Sequence, residues 1–151
     1  MGMEIRSLDP ADWEFVRGIF LDGVATGQGT FETAAPTWQQ WNDAHLPAPR
    51  LAAVANGKVL GWAALSPISA RLVYAGVAEV SVYVSSEARG QGVGTELLTT
   101  LVKESEKNGI WALQASIFPE NVASVSLHKL CGFREVGTRR RIGQLKGIWR
   151  D

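Results

Sequence analysis

The sequence predicts a single mixed α/β domain with the element order β-α-α-β-β-β-α-β-α-β over residues 1–151. Three observations carry that prediction. Alternating apolar segments, which read as strands, are interleaved with segments whose apolar residues recur at helical spacing. The dipeptide Asn56-Gly57 separates two apolar runs, the mark of a tight hairpin. Three glycines within five residues, Gly90, Gly92 and Gly94, join an alternating run to a helix-forming one.

The elements follow in order. Residues 3–8 alternate and read as a strand. Asp9 is placed to cap a helix with Pro10 at its first position, and Trp13, Val16, Ile19 and Phe20 recur at helical spacing. Residues 26–35 hold two glycines and no periodicity, which predicts a loop. Residues 37–41 predict a short capped helix ending before Pro47. Strands at 50–55 and 59–66 flank the Asn-Gly turn, and 66–76 is irregular. Residues 79–84 alternate as a strand into the glycine turn. Residues 95–107 predict an amphipathic helix with Leu97, Leu98, Leu101 and Val102 on one side, closed by Gly109. A buried-type strand at 111–118, a helix at 121–130 stopped by Gly132, a long strand at 133–142 and a turn at 144–147 complete the chain.

Composition narrows the function. A 46% hydrophobic chain of this length suits one domain with a sizeable core. Fifteen basic residues balance fifteen acidic ones, which is not a nucleic-acid footprint. No run approaches the roughly 18 apolar residues of a membrane span, and the charged N-terminus is unlike a signal peptide. With Cys131 as the one cysteine, no internal disulfide is possible, and a reduced, cytoplasmic setting is expected. His45 and His128 lack partners at metal-ligand spacing, so no metal is expected.

Strand, glycine turn and helix start together make an anion site. The first amides of a helix have no intrahelical partner, the helix dipole adds positive charge there, and glycines let a phosphate approach the backbone. A P-loop requires Gly-Lys-Ser/Thr, but Gly94 is followed by Thr95. A dinucleotide fingerprint requires a third glycine where Thr95 stands. The pattern that fits is Arg-x-x-Gly-x-Gly, as Arg89-Gly90-Gln91-Gly92-Val93-Gly94.

That segment resembles the GCN5-related N-acetyltransferases (GNAT), which hold the pyrophosphate of acetyl-CoA there. "NVASVSLHKLCGF" (121–133) resembles the helix that follows in that family. "TGQGTFETAAPT" (26–37), "AEVSVYV" (78–84), "IFPENVASVSLHKLCGF" (117–133) and "GQLKGIWRD" (143–151) are similar to the phosphinothricin and methionine-sulfoximine acetyltransferase branch. The resemblance spans nearly the whole chain and implies a central mixed, twisted sheet flanked by helices. Family members usually run past the Trp-Arg-Asp segment into a final strand, whereas this sequence stops at Asp151, so an unpaired sheet edge is expected. Some branch members carry an arginine where Ala75 stands.

The resemblance implies direct transfer of acetyl from acetyl-CoA to an amine, with Glu79 as the general base. It implies an oxyanion donor among the Tyr83–Val84 amides, and it puts His128 where relatives use a tyrosine to protonate the leaving thiolate; a structural histidine is the other reading of His128. For the cofactor, Val82, Tyr83 and Val84 are expected to pair their backbone with the pantetheine amides. Amides from Gly90, Gln91, Gly92, Val93, Gly94 and Thr95 are expected to hold the pyrophosphate, with Arg89 adding charge. Asn121 and, more weakly, Ser124 are expected at the pantetheine arm, although Asn121 also fits a plain helix cap. For the acceptor, Arg71 is the one cation between Lys58 and Arg89, suited to clamp a carboxylate or simply to sit in solvent. Phe31 and Tyr74 are expected to wall the pocket. The expected acceptor is a small amino-acid-like amine; a protein N-terminus, a polyamine or a non-catalytic acyl-CoA-binding role are the alternatives. The family's habit predicts a homodimer, with Trp38 and Trp41 as interface candidates.

Overall fold

The computed structural model describes residues 2–151. β1 (Glu4–Ser7) leads through a 3-10 turn into α1 (Trp13–Thr26). The entry is strongly specified: Asp9 accepts from Ala11 N at 2.9 Å, and Asp12 accepts from Asp9 N at 2.8 Å. The same Asp12 carboxylate takes both terminal nitrogens of Arg6, at 2.8 and 3.0 Å, which holds its pKa below the usual carboxylate value. α2 (Trp38–Ala44) begins with a Thr37–Gln40 capping box. β2 (Arg50–Ala55) and β3 (Lys58–Pro67) form the predicted hairpin, in which Asn56 and Gly57 adopt φ of 51° and 74°, as a type I′ turn requires.

β4 (Val77–Val84), α3 (Val93–Lys107), β5 (Ala112–Gln114) and α4 (Val122–Leu130) complete the main body. A small hairpin of β6 (Gly143–Leu145) and β7 (Ile148–Arg150) stands apart as a second sheet. The main sheet has the order β1-β2-β3-β4-β5, antiparallel until β5 joins β4 in parallel. α3 covers one face, where Leu97, Leu98 and Leu101 are wholly buried; α1 and α2 cover the other with Val16, Ile19 and Trp41. Each such side chain stabilises the fold by about 1.5–3 kcal/mol. Alanines at 52, 53, 63 and 64 and Gly61 keep the central strands thin, and a Cβ on Gly61 would come within 2.9 Å of Leu97.

Several expectations need correction. The strand predicted at 133–142 does not form: residues 134–142 are exposed, and nothing among the described residues pairs with them as a ladder. Alternation supplies only the side chains of a strand; the backbone still needs a neighbour to bond. The strand predicted at 111–118 shortens to three residues for a related reason, since β4 is its sole partner and only over three register positions. Trp38 and Trp41 are not exposed as expected: Trp38 is half-buried and Trp41 turns inward. They stack at 5.8 Å within an aromatic cluster that includes Trp13 and Trp62, and Trp41 is buried. Among the described residues no helix is long and apolar enough to cross a membrane.

Candidate active site

β4 and β5 part company. Their register runs Val77–Ala112, Ala78–Leu113 and Glu79–Gln114, and there it stops. β4 continues to Val84, bonded to β3 on one side and to no strand on the other. Which groups face the gap follows from the hydrogen bonds at each end. Ser85 N donates to Leu60 O at 2.8 Å, so residues 85, 83 and 81 turn their main chain toward β3. Gly76 O accepts from Trp111 N and Ala112 N at 2.7 and 3.0 Å, so the even-numbered residues turn theirs toward β5. Val82 and Val84 therefore present free N–H and C=O groups to the gap, beyond the last register position of β5. The expected backbone role of Tyr83 is corrected by this alternation, because its main-chain groups pair with Trp62 of β3.

The side chains alternate the other way. Val80, Val82 and Val84 pack toward α3, whereas Tyr83 packs on the α1 face, stacked on Trp62 at 5.0 Å. Burial raises the Tyr83 phenol's pKa, against a smaller opposing pull from the Thr30 side chain nearby. Glu79 stands at the fork itself, half-buried, and Ser116 Oγ donates to its Oε1 at 2.8 Å. Arg139 donates in turn to Ser116 Oγ at 3.3 Å.

The turn beyond β4 is built as its glycines require. Gly90 and Gly92 sit at φ of 75° and 80°, a region closed to most side chains. Gly92 is the N-cap of α3 and offers no side-chain cap, so the first amides of that helix are left free. Gly94 has a different reason: a Cβ there would lie 3.0 Å from Leu127, so this glycine lets α3 approach α4. Arg89 and Gln91 are exposed at the turn, Val93 is buried beneath it, and Thr95 is half-buried in the first turn of α3. Arg89 forms no ion pair among the described residues.

The gap widens into a cleft of about 1660 Å³ that reaches from the glycine turn past Glu79 to residues 28–32, with α4 along one side. Asn121 caps α4 by accepting from Ser124 N at 3.2 Å and also donates to Gln28 O at 3.2 Å, so the cap reading holds and both ends of its amide are engaged. His128 is buried. Its Nδ1–H donates to Ser124 O at 2.7 Å, and burial lowers its pKa, so the ring is neutral near pH 7 and Nε2 is an acceptor. The Nδ1 bond to Ser124 O is what the structural reading of His128 expects. Phe31 lines the cleft and meets Phe118 edge-on at 4.7 Å. Arg71 and Tyr74 do not line it. They stand together on an exposed 3-10 turn, the guanidinium 5.5 Å from the tyrosine ring centroid. The residues that sequence reasoning missed are Ser116, Thr30 and Gln28, short polar side chains with no periodicity to single them out. Among the described residues, no three His, Cys, Asp or Glu side chains gather as a metal site.

The family model for "Acetyltransferase (GNAT) family" matches residues 13–133. The phosphinothricin N-acetyltransferase of Alcaligenes faecalis is 35% identical, over 97% of this chain and 78% of that protein. The L-methionine sulfoximine/L-methionine sulfone acetyltransferase of Pseudomonas paraeruginosa is 33% identical, over 100% of this chain and 91% of that protein. A phosphinothricin acetyltransferase of Sinorhizobium meliloti, solved in complex with acetyl-CoA, superposes with a TM-score of 0.88 at 28% identity, covering 99% of this chain and 84% of that one.

Proposed function

The chain belongs to the acetyltransferase (GNAT) family, and from that premise we propose that it acetylates the amine of a small amino-acid-like acceptor of the phosphinothricin or methionine sulfoximine kind. The observation that carries the proposal is that one strand holds both halves of the chemistry. β4 offers the open edge of residues 80–84 toward the uncapped glycine turn, and the Glu79 side chain stands where that edge begins.

The open edge and the turn fit acetyl-CoA. The main-chain groups of Val82 and Val84 suit the pantetheine amides as an added strand would, and the free amides at the start of α3, with Arg89 beside them, suit the pyrophosphate. Acetyl-CoA supplies an acetyl group already activated as a thioester. The remaining work belongs to the chain. An ammonium has no lone pair, so it must first lose a proton; for an α-amino group of pKa about 7.7–8.0 this costs little near neutral pH. Glu79 takes that proton directly or through water. Ser116 holds Oε1 by donating to it, which leaves Oε2 to receive the proton. The amine nitrogen then bonds to the acetyl carbon, the carbon–sulfur bond breaks, and a proton from that nitrogen ends on the departing sulfur. The products are an amide and a free thiol, and no acid from His128 is required. The amides facing the gap at Val82 and Val84 are the donors available to charge building on the carbonyl oxygen.

The experiment is a panel of amino acids, polyamines and short peptides assayed for free thiol release from acetyl-CoA. Turnover concentrated on amino-acid-like acceptors supports the proposal. Turnover confined to peptides or polyamines replaces the acceptor class, and tight acetyl-CoA binding with no turnover on any amine replaces the enzyme with a binding domain.

A further inference from the structure

The wall of the cleft opposite the glycine turn is a loop, residues 27–32, that follows α1 and has no regular structure of its own. Its shape is imposed by residues far away in sequence. Arg150, in the terminal hairpin, is the centre of that hold. Its Nη1 donates to Gly27 O at 3.0 Å, and its Nη2 donates to the Gln28 side-chain oxygen and, at 3.3 Å, to Glu120 Oε2. The guanidinium carbon lies 4.2 Å from the Phe118 ring centroid, and the Arg150 side chain is only 14% exposed. Phe118 is the ring that Phe31 meets edge-on. Gly143 is paired with Arg150 across the hairpin, and a Cβ on it would stand 3.0 Å from the Phe31 ring. One register position of the hairpin thus touches both the start and the middle of the loop.

We propose that Arg150 is a positioning residue for the acceptor: it holds residues 27–31 against Phe118 and so sets the place of Phe31 in the cleft that Glu79 also lines. A guanidinium suits this post because its planar fork bonds two oxygens and stacks on an aromatic face at once. A lysine ammonium can satisfy one of those oxygens but cannot stack as a plane. The glycine opposite is the counterpart, since any side chain there presses on Phe31. Charge-assisted bonds of this kind, when lost, cost roughly ten- to a hundredfold in affinity. The loss should fall on the acceptor alone, because none of these contacts touches the glycine turn or the open edge of β4. The inference rests on the reading of residues 28–32 as the acceptor wall.

The test compares wild type with Arg150→Ala, Arg150→Lys and Gly143→Ala, each as the full chain. Hydrogen–deuterium exchange should speed up at 27–32 in Arg150→Ala while β2 and β3 stay protected. The acceptor KM should rise roughly ten- to a hundredfold, with the acetyl-CoA KM unchanged. Arg150→Lys should recover part of the loss. Gly143→Ala should shift preference among acceptors of different bulk while acetyl-CoA binding is kept. Unchanged exchange at 27–32, or acceptor and acetyl-CoA constants rising together, overturns the inference. If wild type acetylates no amino acid, the proposed acceptor class falls, and the exchange measurement still decides whether Arg150 holds the loop.

Discussion

The two ends of the cleft are built in opposite ways. At the glycine turn, everything needed lies within one stretch of sequence: the open edge at 80–84, two glycines at positive φ, and the uncapped start of α3. At the acceptor wall, neighbours come from four distant segments: Thr30 beside Tyr83, Gln28 beside Asn121 and Arg150, and Phe31 beside Phe118 and Gly143. A site made of backbone is local, since the amides follow the chain. A site made of side chains recruits whatever the fold brings near. On the proposed function, the cofactor end is the part that relatives with different acceptors can share, and the acceptor end is the part that substitutions far away in sequence can retune.

The largest effect should come from the junction of the two ends. Glu79→Gln should lower kcat/KM by roughly 10²–10⁴, the usual contribution of a general acid–base group, with acetyl-CoA affinity little changed. The loss should shrink as pH rises above the amine's own pKa of about 8, where the free base needs no help. A pH profile running parallel to that of wild type would move Glu79 from proton transfer to positioning.

The next effect should be confined to the cofactor end. Gly92→Val forces a branched side chain into φ of 80° at the cap of α3, a strain of about 1–3 kcal/mol, so the helix start should shift and stability should fall by a similar amount. Acetyl-CoA affinity should drop, while the preference among acceptors stays as it was. Calorimetry on a folded variant showing wild-type affinity would remove this turn from the cofactor site, and a changed acceptor preference would break the separation of the two ends.

The smallest effect should be confined to the acceptor end. Tyr83→Phe removes the hydroxyl that meets Thr30 and keeps the ring stacked on Trp62. Losing a hydroxyl contact of this kind costs at most about 0.5–1.5 kcal/mol. Steady-state kinetics should show the acceptor KM rising severalfold and the acetyl-CoA KM unmoved. A shift in the acetyl-CoA constant instead would mean that Tyr83 communicates with the edge it does not face.

Much of the scaffold was legible without coordinates. The Asn56-Gly57 hairpin, the Asp9 cap and the amphipathic face of α3 are local: a residue pair, one hydroxyl or carboxylate, or a 3.6-residue period specifies each of them. The strand predicted at 133–142 failed because a strand is a relation between two chains of backbone, and alternation reports on only one of them. Trp38 and Trp41 were expected to be exposed because an indole reads alike in a core or at a surface, and only the packing of α2 on Trp13 and Trp62 draws them inward.

By itself, the sequence determined the glycine turn and the strand on which Glu79 stands, because backbone conformation and local pattern are written residue by residue. Only the tertiary structure decided where β4 and β5 separate, which alternate residues of β4 face the gap, and that Arg71 lies outside the cleft while Arg150 grips its wall. Those outcomes depend on distances between residues as much as 123 apart in the chain, and such distances exist only once the sheet and helices have packed.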